Sequence, residues 1–184
     1  MLKLKCLVWK NQLMIIKRRI EWGASVPNTS KPYYLQVPDK IIFHHYGFPA
    51  DEPNFHVIPF FEGDKSIRVL QKEDIKVHGL IDIKFHYVIA PNGVVYECRP
   101  TTTVGRHMKH KIHDNGSIGV LVWGNYNVEQ VPDEVKIAIP KLLMYLKEKH
   151  TTIKMPGSII GHSDIKLTSC PGFKLKNFLN FLNR

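Results

Sequence analysis

A histidine and a cysteine stand eight residues apart in Gly161-His162-Ser163-Asp164-Ile165-Lys166-Leu167-Thr168-Ser169-Cys170, and Pro171-Gly172 closes the run. Neither belongs to an apolar pattern that packing would demand. A second pair, His44-His45, ends the apolar run that begins at Lys40. Imidazole nitrogen and thiolate sulfur are both zinc ligands, and a tetrahedral site with three protein ligands keeps one position open for water. Such a site is catalytic rather than structural. If the run before His44-His45 is a strand, the two rings point to opposite faces, so only one of them can reach a metal.

These residues need elements to hold them. Lys40 to His45 reads as a buried strand ending at the metal. Asp51 to Gly63, rich in Pro and Phe, reads as a long loop, and Ser66 to His78 as a helix with Ser66 as its N-cap. Phe85 to Ala90 and Val94 to Cys98 flank Pro91-Asn92-Gly93, a strong hairpin signal. Ile118 to Trp123 is a further strand. After Pro132, Val135, Ala138, Ile139, Leu142, Leu143 and Leu146 recur at helical spacing, with Pro140 expected to kink the element. Leu175, Phe178, Leu179 and Leu182 mark a terminal amphipathic helix. The pattern predicts an α/β fold: a single domain with a mixed central β-sheet flanked by helices. Residues 1–18 read as an N-terminal extension and residues 19–184 as the domain.

Five segments in order resemble the zinc amidase family that includes N-acetylmuramoyl-L-alanine amidases, amidase-type phage lysozymes and peptidoglycan recognition proteins. They are Ile41-Ile42-Phe43-His44-His45; Ile81 to Ile89 with Asn92-Gly93 and Tyr96-Glu97-Cys98-Arg99-Pro100; Val104-Gly105-Arg106-His107; Asn115-Gly116-Ser117-Ile118-Gly119-Val120 leading to Gly124-Asn125; and Gly161-His162 to Cys170-Pro171-Gly172. The resemblance implies one Zn²⁺ per chain held by His44, His162 and Cys170. It also implies hydrolysis of the amide joining the lactyl group of N-acetylmuramic acid to L-alanine. Zinc suits that task by lowering the pKa of bound water to about 7 and polarising the carbonyl.

Where many members carry a Tyr this chain has Phe85, and where another branch uses a Glu it has Leu121. Thr168 matches the position two before the Cys, and it donates one hydrogen bond but is a poor base. Thr168 and Tyr46, two beyond His44, are therefore the expected catalytic pair, with Tyr87 as a further phenol. His107, Phe85, Arg99 and Asn115, all in matched segments, are assigned to substrate binding. Two classes of function follow: a peptidoglycan amidase, favoured by the presence of Cys170, and a peptidoglycan-binding module with weak or no catalysis, supported by Phe85 and Leu121.

Composition bounds the reading independently. The 184 residues, 43% hydrophobic and 23% charged, make one domain of ordinary size. No apolar run approaches the roughly 20 residues that span a bilayer. The first sixteen residues, with Lys3, Lys5 and Lys10 between short apolar runs, are too broken for a secretory h-region. That predicts action on wall fragments inside the cell, or release to the wall by another route. A net charge of +10 predicts attraction to a polyanion. Anionic wall polymers qualify, and nucleic acid is a distant third reading resting on charge alone; because Lys and Arg are spread along the chain, solubility accounts for the charge equally well. Cys6, Cys98 and Cys170 form no disulfide framework, and the first two are expected to be reduced thiols.

Overall fold

The structure, a computed structural model, describes residues 14–28, 30, 33–47 and 60–184. Among them, one sheet contains β1 (Ile16–Lys17), β2 (Lys40–His45), β3 (Tyr87–Ile89), β4 (Val95–Glu97), β5 (Ser117–Val122) and β6 (Ile159–Gly161). The helices are α1 (Asp64–Lys76), α2 (Lys111–Asp114), α3 (Asp133–Lys149) and α4 (Phe173–Leu182). Spatial order is β1-β4-β3-β5-β2-β6, with β3 and β4 antiparallel and every other neighbouring pair parallel. This is the mixed sheet flanked by helices that the sequence predicts.

Strands β2 and β5 are apolar on both faces because both faces are covered. Ile41 and Phe43 of β2, with Ile118, Val120 and Val122 of β5, pack against Val135, Ile139, Leu142 and Leu146 of α3 and Leu175 and Leu179 of α4. On the other face, Val88 and Leu121 meet Ile67 and Leu70 of α1, together with Trp22, Tyr96 and Trp123. The register sets His44 beside Leu121 and Phe43 beside Gly161. The carboxyl ends of β2, β5 and β6 therefore gather at one edge of the sheet.

Several boundaries differ from the sequence reading. Ile16 and Lys17 pair in parallel with Val95 and Tyr96, so the sheet's edge strand lies within the 1–18 extension. Two residues are too short to show any period. Helix α1 starts at Asp64 with Gly63 at the cap, and Ser66 lies inside it. Its hydroxyl instead accepts from the backbone N–H of Glu62 at 2.8 Å. Helix α3 runs unbroken through Pro140. The ladder of the β3–β4 hairpin is shorter than expected, but Cys98 N–H to His86 O (2.9 Å) and Arg99 N–H to Phe85 O (3.1 Å) continue it. Cys98 is a fully buried free thiol. Cys6 and Asp51 to Pro59 lie outside the described residues.

Candidate metal centre

His44 is the penultimate residue of β2, and His162 opens a 3₁₀ turn, His162–Asp164, directly after β6. Because β2 and β6 are parallel neighbours in register, their next side chains meet, with ring centroids 4.6 Å apart. The chain then has to return Cys170 to the same point. Ser163 N–H donates to Cys170 O (2.8 Å), Ile165 and Lys166 N–H both donate to His162 O (3.1 Å), and Gly172 N–H donates to Ser169 O (2.7 Å). Asp164 accepts from Gly161 N–H at 2.8 Å and pairs with Lys176 of α4. Gly172, at φ 85°, lies so close to Tyr126 that a Cβ would fall 2.4 Å from that residue's carbonyl carbon. Only glycine seats the loop there.

The result brings Cys170 Sγ to 3.7 Å from His44 Nδ1. One ligand atom each from His44, His162 and Cys170 lies within 4.8 Å of the others. A tetrahedral zinc with bonds of about 2.0 to 2.3 Å separates its ligand atoms by about 3.3 to 3.8 Å. A small closure of the group is enough to fit one. His162 Nε2 is buried without a hydrogen-bond partner, a costly arrangement that a cation would relieve. His45 turns to the opposite face, as alternation requires, where its Nδ1 accepts from Tyr126 N–H at 3.1 Å. Its own backbone N–H reaches Cys170 Sγ at 3.4 Å.

Burial governs the electrostatics. It holds His44 well below the usual imidazole range, helped by the charges of His162, His45 and Lys84. It brings His162 down to about 4, with Lys166 contributing. The Cys170 thiol is pushed up to about 12, partly opposed by the His45 N–H. Both imidazoles are thus held in the neutral form that offers a lone pair.

The family model described as N-acetylmuramoyl-L-alanine amidase matches residues 34–173. The chain belongs to this amidase family. A curated relative, the N-acetylmuramoyl-L-alanine amidase of Sus scrofa, is 27% identical over 89% of this chain, and the match spans about a quarter (26%) of that protein. Peptidoglycan-recognition protein LB of Drosophila melanogaster is 26% identical over 85% of this chain and 64% of its own. Among solved structures, a Tyr-to-Phe mutant of Drosophila LB in complex with tracheal cytotoxin is 25% identical. It superposes with a TM-score of 0.67, covering 86% of this chain and 89% of that one.

Within this amidase fold the other expected site residues fall in different places. Phe85 is buried and forms a T-shaped pair with the His44 ring, centroids 5.3 Å apart, so it walls the centre. Leu121 lies beside His44 in the sheet. Thr168 Oγ1 accepts from Cys170 N–H at 3.2 Å, which leaves its hydroxyl hydrogen to donate. Tyr46 is stacked flat on Trp123 (4.4 Å, 7°) and faces a cleft lined by Ser66, Val69 and Glu73 but by none of the three ligands. Tyr87 is in the core.

Arg99, Asn115 and His107, the other residues assigned to substrate binding, are held in three different settings. Arg99 is buried, its guanidinium donating to the carbonyls of Ile83 (2.9 Å), Val104 (2.8 Å) and Asp82 (3.0 Å), which leaves it occupied with the scaffold. Asn115 precedes β5 and is exposed at the amino end of that strand. Leu121, beside His44, is six residues further on, a span of about 20 Å at roughly 3.3 Å per residue. His107 has a fully buried side chain that lies behind His44, with its Nδ1 2.9 Å from His44 Nε2. That contact carries no signal in the spacing, since 63 residues separate the two.

Proposed function

We propose that this chain is a zinc-dependent N-acetylmuramoyl-L-alanine amidase, cleaving the amide between N-acetylmuramic acid and L-alanine of peptidoglycan or muropeptides. The observation that carries the reading is the convergence of His44, His162 and Cys170 at the edge of the sheet, with His162 Nε2 buried and unpartnered. When bound, zinc supplies an acidified water and a Lewis acid for the scissile carbonyl. The chain's own residues do the rest. His44 and His162 present neutral lone pairs. Cys170 gives up its proton on loading, and the His45 N–H then steadies the thiolate. Phe85 and Leu121 line the centre with apolar surface that excludes bulk water and strengthens every charge interaction inside it. Thr168 donates one hydrogen bond toward the carbonyl oxygen as negative charge develops there.

The test pairs zinc content with release of free peptide from purified peptidoglycan. We expect one zinc per chain, and loss of both metal and peptide release in Cys170→Ser, since a neutral hydroxyl is a far poorer ligand than a thiolate. Full zinc content in that variant would remove the basis of the assignment. The second reading, a peptidoglycan-binding module, is favoured by Phe85 and Leu121, which leave the centre without a phenol or carboxylate at those positions. Retention of peptidoglycan by zinc-loaded protein with no peptide released would select it.

A further inference from the structure

Behind the three ligands, an ordered set of polar contacts runs into the backbone. His44 Nε2 lies 2.9 Å from His107 Nδ1, and His107 Nε2 lies 3.1 Å from Ser117 Oγ. Ser117 Oγ in turn lies 2.7 Å from the carbonyl oxygen of His113 and 2.9 Å from that of Asp114. Every group in the series is buried or nearly so. The ring of His107 lies against the backbone of β5 where Gly119 has no side chain. A Cβ there would come 2.3 Å from His107 Cδ2.

The direction of the hydrogens follows from the last link. Backbone carbonyls cannot donate, so the single Ser117 hydrogen must point at one of them, since otherwise two carbonyl oxygens would face a bare oxygen lone pair. Ser117 Oγ can then only accept from His107, which places the His107 proton on Nε2. A neutral imidazole carries one N–H, so His107 Nδ1 is an acceptor. His44 must therefore carry its proton on Nε2, and its lone pair falls on Nδ1, the atom that faces Cys170. A carboxylate near the relay, that of Asp114, lies 3.9 Å from His107 Nε2. It is occupied by the N–H groups of Met108 (2.8 Å) and His110 (3.1 Å).

We propose that His107, locked by Ser117, is a positioning residue that selects the His44 tautomer with Nδ1 free for the metal. The choice of ligand atom is thereby set by two backbone carbonyls at the far end of the relay. Outer partners of metal-bound histidines act in this way generally, and their loss weakens metal binding by about 10- to 100-fold. The inference rests on the zinc reading for its metal side only, because the tautomer can be observed without any metal.

The experiment is nitrogen NMR of the histidine rings in metal-free protein, together with zinc affinity by competition against a chelating indicator. In the unaltered chain, His44 and His107 should each show a protonated Nε2 and an unprotonated Nδ1. His107→Phe, which keeps the bulk and removes the acceptor, should bind zinc about 10- to 100-fold more weakly. His107→Asn returns an oxygen near the Nδ1 position and should recover most of that loss, which a purely volumetric role for His107 does not predict. Should His107→Phe fail to fold, Ser117→Ala serves instead and should leave His44 a mixture of tautomers. A proton on His44 Nδ1, a doubly protonated His107, or unchanged zinc affinity in His107→Phe overturns the proposal. Absence of zinc binding by the unaltered protein would count against the amidase reading, while the ring spectra would still decide the relay.

Discussion

Phe85 packs edge-to-face with His44 where the amidase resemblance leads one to expect a phenol. A hydroxyl on that ring is the smallest change that could add a donor beside the candidate metal centre. Removing one donor to a developing oxyanion in other enzymes costs about 10²- to 10³-fold in rate. Phe85→Tyr is therefore expected to raise turnover on a soluble muropeptide by up to about 10²-fold with zinc content unchanged. A neutral outcome in steady-state assays would mean that the centre lacks nothing at that position. The convergence of His44, His162 and Cys170 was legible in the sequence because a His and a Cys eight apart on a Gly- and Pro-bounded loop, with a His ending an apolar run, are residue types that zinc takes. For Arg99 and Asn115 a matched position says nothing about direction. The Arg99 donors turn inward to three carbonyls, and Asn115 precedes the amino end of β5.

Among the elements, β2 and β5 were readable because burial on both faces leaves continuous apolar runs, and α3 because its period persists over four turns. Strands β1 and β6, of two and three residues, owe their existence to neighbours and leave no local signature. The close contacts of β5 yield a prediction of their own. Gly119→Ala forces a methyl into the His107 ring with no flexible chain end to yield. The expected loss is about 1 to 3 kcal/mol of stability by denaturant unfolding, typical of overpacking. Stability equal to the unaltered protein would show that the strand can shift.

His86 ties β5 to the loop before His107: its Nδ1 accepts from Gly119 N–H at 2.9 Å and its Nε2 donates to Thr103 O at 2.9 Å. Burial brings it down to about 4, against the pull of the Thr103 carbonyl. Its folded value lies below its unfolded value of about 6.5, so below that pH the unfolded chain takes up the extra proton. The contribution is complete above pH 6.5 and disappears as pH falls to about 4, by roughly 1.4 kcal/mol per unit. His44 and His107 act in the same sense. Unfolding free energy measured with chelator present should thus drop between pH 7 and pH 5. Equal values at both would show that these rings are not buried neutral.

For the molecule as a whole, a charge of +10 is the dominant long-range property. If it serves attachment to anionic wall polymers, binding to whole walls should weaken steeply with added salt, because exposed charges are screened beyond about 8 to 10 Å. Cleavage of a small soluble muropeptide should hardly respond. Parallel salt sensitivity of the two would assign the charge to the site itself.

His44 and Cys170 are 126 residues apart in sequence, and β2 and the loop after β6 meet at that one point. An ion gripping both is a fastener between the first third of the chain and its final fifteen residues. Clips that close long loops act chiefly by restricting the unfolded chain, and any ligand bound only by the folded form adds stability by mass action. At free zinc 1,000 times the dissociation constant this amounts to about 4 kcal/mol, on the order of 10 °C in melting temperature for a chain of this length. A melting curve that climbs with each addition of zinc and falls back with chelator is the expected record. Metal supply would then govern how long the molecule survives as well as how fast it works.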